Sequence, residues 1–126
     1  SDASHIIDVE EDEHIEEAVD KNQKLIGKLK SQGLTFEDLK AYAKHLSVER
    51  KSINNQIEDI KNSIDDKHQT IENLILVKSD TSDVLAEIEE LNSLGEQLSK
   101  KMSQIEKKSK SLRLAESLYL AEPEEL

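Results

Sequence analysis

The residues in this chain whose types could do chemistry are mostly carboxylates. Asp8, Glu10, Glu11, Asp12 and Glu13 crowd around Val9 and lead into His14, an arrangement that invites a cation-binding reading. An EF-hand loop needs a glycine at its sixth position for the sharp turn, and Glu13 stands there instead. Residues 1–11 are therefore expected to form an acidic, disordered lead-in. The four histidines, His5, His14, His45 and His68, show neither an HExxH spacing nor an i, i+4 pair, so no metal site is expected. With no Cys there is no thiolate ligand, no Cys nucleophile and no disulfide framework. Three Gly leave no phosphate-cradling loop. Ser and Asp are plentiful, but they fall on helix surfaces and turns, and long thin helices enclose no pocket. No catalytic, cofactor-binding or metal-binding residues are expected, and the chain does not read as an enzyme.

The second chemical feature is a basic stretch. Lys100, Lys101, Lys107, Lys108, Lys110 and Arg113 are offset only by Glu106 over residues 100–113. Such a run can meet phosphate or anionic lipid, yet it has no aromatic residue and no sustained basic face. The total charge is −11 over 126 residues, which argues against nucleic acid or an anionic membrane as the main partner. The distribution is uneven. Residues 1–20 hold nine acids and no Lys or Arg, and Glu122, Glu124 and Glu125 form an acidic tail over 122–126. The interior, with 17 basic residues against 16 acids, nets +1. The acidic start and the basic stretch are expected to meet one another within the fold.

Three helical stretches must position these groups. The first spans about 12–32, with Ile15, Ala18, Val19, Leu25, Ile26 and Leu29 recurring at three- and four-residue steps. Gly33 suits a left-handed C′ position, with Leu34 as its hydrophobic companion. Thr35 follows as an N-cap, with Glu37 and Asp38 in the next first turn. The second helix is expected over 36–78. Its heptad frame puts Leu39, Leu46, Ile53, Ile60, Lys67 and Leu74 at d, and Ala43, Arg50, Ile57, Ile64, Ile71 and Lys78 at a. Nine of those twelve positions are apolar, against about four for a 35% apolar composition. The cluster Ser79-Asp80-Thr81-Ser82-Asp83 reads as the turn, with Thr81 or Ser82 capping a third helix over 82–120. There Val84, Leu91, Leu98, Ile105, Leu112 and Tyr119 take d, and Ile88, Gly95, Met102, Ser109 and Glu116 take a. Pro123 lies just beyond, where a helix stop belongs.

Two long helices of about 43 and 39 residues, each near 60 Å at about 1.5 Å per residue, joined by a short turn, imply an antiparallel coiled-coil hairpin. The fold class is therefore all-α, with the shorter N-terminal helix packed at the hairpin's base. A turn centred near Asp80 pairs Ile57 and Ile60 with Met102 and Ile105. It brings Leu46 near Leu112 and Ala115. Arg50, Lys67, Gly95 and Ser109 interrupt a seam that is already thin, and a two-helix hairpin this polar is marginal alone. A partner is expected, either a second copy or another helical subunit.

The turn end is the main candidate site. Leu74, Ile75, Leu76, Val77, Val84, Leu85 and Ile88 offer more apolar surface than a two-helix seam consumes. Either a partner helix docks there, or the residues wrap around their own turn. In outline the build resembles helical adaptors: kinetochore and spindle-pole subunits, vesicle tethers, and the three-helix N-terminal domains of syntaxin-type SNAREs. That resemblance implies an interaction or scaffold module, assembling as a homo- or hetero-oligomer within a larger complex. The alternatives are a self-contained regulatory bundle of the SNARE N-terminal type and, third, a helical surface for anionic lipid or nucleic acid. The first helix is about half the length of the others, unlike such SNARE bundles. With no initiator Met, signal-peptide pattern, transmembrane-length apolar run or Cys, a segment of a longer cytoplasmic or nuclear protein is expected.

Overall fold

The computed structural model describes residues 21, 23, 24 and 27–121. The acidic start, the helix-one residues Ile15, Ala18, Val19, Leu25 and Ile26, and the tail with Pro123 lie outside the described residues. A first helix, α1, includes residues 27–31; it is followed by α2 (Phe36–Leu76) and α3 (Ser82–Ala121). The two long helices pack against each other as an antiparallel hairpin, with the shorter helix at its base.

The α1–α2 junction forms as its residue types dictate. The Leu34 N–H donates to the Leu29 carbonyl at 3.0 Å, and the Gly33 N–H donates to Lys30 O at 3.0 Å. These are the two bonds of a Schellman motif, and Gly33 supplies its left-handed residue with φ +73°. Leu29 and Leu34, the hydrophobic pair of that motif, are both buried. The next helix starts one residue later with a reciprocal cap. The Thr35 N–H donates to Asp38 Oδ2 at 2.8 Å, and the Asp38 N–H donates to Thr35 Oγ1 at 3.2 Å. The backbone bond from Thr35 is the main cause holding the Asp38 carboxyl below its ordinary pKa.

The α2–α3 turn differs from the sequence expectation. α2 ends at Leu76, not Lys78, and the reversal belongs to Lys78 itself at φ +56°. Lys78 N–H donates to Ile75 O at 3.0 Å and Ser79 N–H to Leu74 O at 2.9 Å, a second Schellman motif with lysine in glycine's place. The start of α3 is then capped by Asp80. Its carboxylate accepts the Ser82 N–H at 3.1 Å and the Ser82 hydroxyl at 2.6 Å. The Thr81 carbonyl accepts the first helical bond, from Leu85 N–H at 3.0 Å.

The chain divides into two compact units. One holds the described residues up to Glu49 together with those from Gln104 to 121. Its core is Leu29, Leu34, Leu39, Tyr42, Leu46, Ile105, Leu112 and Ala115, of which Leu29, Leu39 and Leu112 are the largest fully buried side chains. Each such leucine contributes about 1.5–3 kcal/mol relative to exposure. Burial here spreads beyond a and d, to Tyr42 and Ala115, because three helices share the core. The Tyr119 hydroxyl closes the unit by donating to Leu34 O at 2.7 Å, while Lys30 Nζ lies 5.3 Å from the Tyr119 ring centroid.

The other unit, Arg50–Ser103, is a two-helix hairpin. From Arg50 to Leu74 the residues withdrawn from solvent are Arg50, Ile53, Ile57, Ile60, Ile64, Lys67, Ile71 and Leu74, all a or d positions. In α3, from Val84 to Ser103, they are Val84, Ile88, Leu91, Gly95, Leu98 and Met102, again a and d alone. Only Ile53, Ile88 and Leu98 in this unit are buried; the remainder of the stripe is half-exposed. The register follows the turn. Ile60 faces Gly95, and Lys67 pairs with Glu87, so the pairing is symmetric about Val77–Lys78. This corrects the expectation of a pivot at Asp80, which placed Ile60 by Met102 and Ile105. The chain turns at the left-handed Lys78, ahead of the polar cluster.

A left-handed conformation costs a side-chain-bearing residue about 1–2 kcal/mol, part of which glycine gives back by loosening the unfolded chain. Lys78→Gly is expected to stabilise the protein by about 0.5–1 kcal/mol, read as a higher midpoint in urea unfolding. An unchanged or lower midpoint would place Lys78 outside the left-handed region.

Candidate docking surface

The turn places the seven expected tip residues in two groups. Ile88 is buried at 7% exposure, and Leu74 and Val84 are half-buried; all three belong to the seam. Ile75, Leu76, Val77 and Leu85 remain 62, 80, 73 and 51% exposed. The second Schellman motif leaves its own Leu74 less covered than the first leaves Leu29. In the first motif the residue after the left-handed one is Leu34, which is buried with Leu29. In the second, that place falls to Ser79, which is polar and exposed, so Leu74 has no apolar companion from the turn.

The charge around this apolar end is one-sided. Residues 72–90 carry six acids and a single basic residue, Lys78. Asp80 is held ionised to lower pH than an ordinary carboxyl, first by the Ser82 hydroxyl and then by the Ser82 backbone N–H. Glu87 is paired with Lys67, which gives the seam's lysine a role. Its stem lies in a d position and its ammonium reaches across to α3.

Further along the same unit lies a shallow groove of about 370 Å³. Ile60, Ile64, Leu91 and Gly95 form its floor, with Lys61, Asn92, Glu96, Ser99 and Lys100 around them. Of the other a and d residues, Leu39, Leu46, Ile53, Leu98, Ile105 and Leu112 are buried, while Ile57, Ile71, Met102 and Tyr119 are half-buried.

The basic stretch is divided between the two units. Lys100 and Lys101 are exposed within the hairpin unit; Lys107 and Lys108 are half-buried and Lys110 and Arg113 exposed within the three-helix unit. The acids expected to meet them lie outside the described residues. His45 and His68 are exposed, and His45 stacks on Tyr42 at 6.3 Å between centroids; His5 and His14 lie outside the described residues. Among the described residues no group of three or more His, Cys, Asp or Glu could hold a metal ion. No described helix is long and apolar enough to cross a membrane.

Sequence reasoning did not find Tyr42, at a heptad position that a two-helix seam leaves wet, nor the Asp80 cap. It also left out the exposed Val48 and Leu94, while Leu114 and Leu120, expected with Ala115 and Leu118 to broaden the third helix's apolar face, are 45 and 73% exposed. The cap had a readable signal, an acid two residues ahead of a Ser within the turn cluster. No protein-family model, curated protein or solved structure matches the chain.

Gly95 admits a direct test of how closely the helices approach. A Cβ placed there would meet Ile60 Cγ2 at 3.8 Å, an ordinary contact. Gly95→Ala is expected to stabilise the chain by about 0.5–1 kcal/mol through helix propensity, measured by thermal or urea unfolding. A loss of stability would mean that the backbones meet more tightly than the groove implies.

Proposed function

We propose that this chain is a non-enzymatic coiled-coil interaction module. It joins a larger intracellular assembly, in the cytoplasm or nucleus, by docking other helical chains or a second copy of itself. The observation that carries this reading is the group Ile75, Leu76, Val77 and Leu85, exposed at the turn end of the hairpin and outside the a and d positions that form its seam. Large apolar side chains grouped at the surface of an otherwise charged chain are a signature of interaction sites. The thin seam of the hairpin unit supports the same reading, because half-exposed Ile57, Ile60, Ile64 and Ile71 would gain burial against a further chain.

Leu76→Asp combined with Leu85→Asp tests it. Both side chains are exposed, so each substitution should change stability by no more than about 0.5 kcal/mol and leave the far-ultraviolet helical signal intact. Light scattering of the purified chain, and gel filtration in an extract of its native cells, should find the wild type in a species heavier than 14.3 kDa. The variant should run as the free chain. Identical behaviour of variant and wild type would overturn the reading.

A further inference from the structure

The exposed end also carries information about what covers it. We propose that the hairpin end docks a basic amphipathic helix of another protein. Apolar side chains of that helix seat on Ile75, Leu76, Val77 and Leu85, and its Lys or Arg residues face the acids alongside. This inference rests on the reading of the end as a docking surface and specifies the partner's chemistry.

Three observations point the same way. The stretch 72–90 has five more acids than bases, and every one of those acids is exposed. By helical spacing Glu72 lies one turn before Ile75 and Leu76, and Glu89 one turn after Leu85, so acids border the apolar residues along both helices. The Glu87 carboxylate is paired from within by Lys67 and that of Asp80 accepts from Ser82, which leaves Glu72, Asp83, Glu89 and Glu90 for a partner's cations.

A second copy fits this end poorly. An isologous contact sets the same patch against itself, and would bring the acids of one end up to those of the other. Like-charge juxtaposition at a contact disfavours that partner, whereas a basic one is steered in and held in register. An anionic lipid surface repels the end for the same reason. A helix with apolar residues at i, i+3, i+4 and i+7 and cations between them meets both the apolar group and its border.

The test uses the full chain, isotopically labelled, and two synthetic helical peptides about 18 residues long with leucines at those spacings. One carries lysine at its remaining positions and the other glutamate. Amide shifts are followed during titration at about 0.05 M and about 0.5 M salt, where screening differs several-fold. The Leu/Lys peptide should bind with shifts concentrated in residues 72–90, more weakly at high salt, and the Leu/Glu peptide should not bind. Glu72→Lys with Glu89→Lys should weaken the Leu/Lys peptide about tenfold or more and admit the Leu/Glu peptide.

Several results would overturn the proposal. Equal binding of both peptides at 72–90 would mean an apolar surface indifferent to charge; the docking reading would stand and the basic partner would fall. Shifts confined to the acidic residues 1–20, or none at 72–90 with either peptide, would remove the partner chemistry assigned to this end. Concentration-dependent shifts at 72–90 without peptide, abolished by Leu85→Asp, would assign the end to a second copy.

Discussion

The structure depends on one narrow apolar stripe shared by two helices. Residues spaced alternately three and four apart keep that stripe facing the partner helix, and every a and d position from Arg50 to Leu74 is withdrawn from solvent. The stripe needs the chain to reverse in phase, so that Ile60 returns to Gly95 and Lys67 to Glu87. That phase is fixed by a single left-handed residue, Lys78. It is also what makes Lys67 tolerable in the seam, since the partner it needs arrives at the right height on α3.

Much of this was legible in the sequence, and the exceptions have physical causes. Gly33, Leu34 and Thr35 announce their junction because few residue types satisfy a left-handed stop and a cap in three positions. The end of α2 announces nothing, because Lys78 has no turn preference; its left-handed backbone is imposed by the surrounding bonds at some cost. The polar cluster after it drew the expected pivot toward Asp80, which acts instead as the cap of α3. Ile88 belonged to the seam by its a position, whereas Ile75, Leu76 and Leu85 lay outside a and d and are exposed. Tyr42 could not be read from a two-helix frame, since its burial comes from the three-helix core.

The two units divide the energetics. In the three-helix unit Leu29, Leu39 and Leu112 are fully enclosed, and Tyr119 ties the end of α3 to the α1–α2 turn. In the hairpin unit three side chains are buried and the rest of the stripe stays wet on its flanks. A seam of that kind contributes less per residue than an enclosed core, and a further chain lying against it would recover part of the difference. The exposed apolar end and the half-covered seam are thus two expressions of the same incompleteness, on which the proposed role as an interaction module rests.

The most direct measurement is native-state hydrogen exchange, residue by residue, on the isolated chain. The amides of the stripe within 50–103 should exchange at least about tenfold faster than those of Leu39, Leu46, Leu112 and Ala115, reporting a hairpin unit that opens without the three-helix unit. Equal protection across both would contradict the account, because a hairpin as stable as the enclosed core has no need of a partner to complete it.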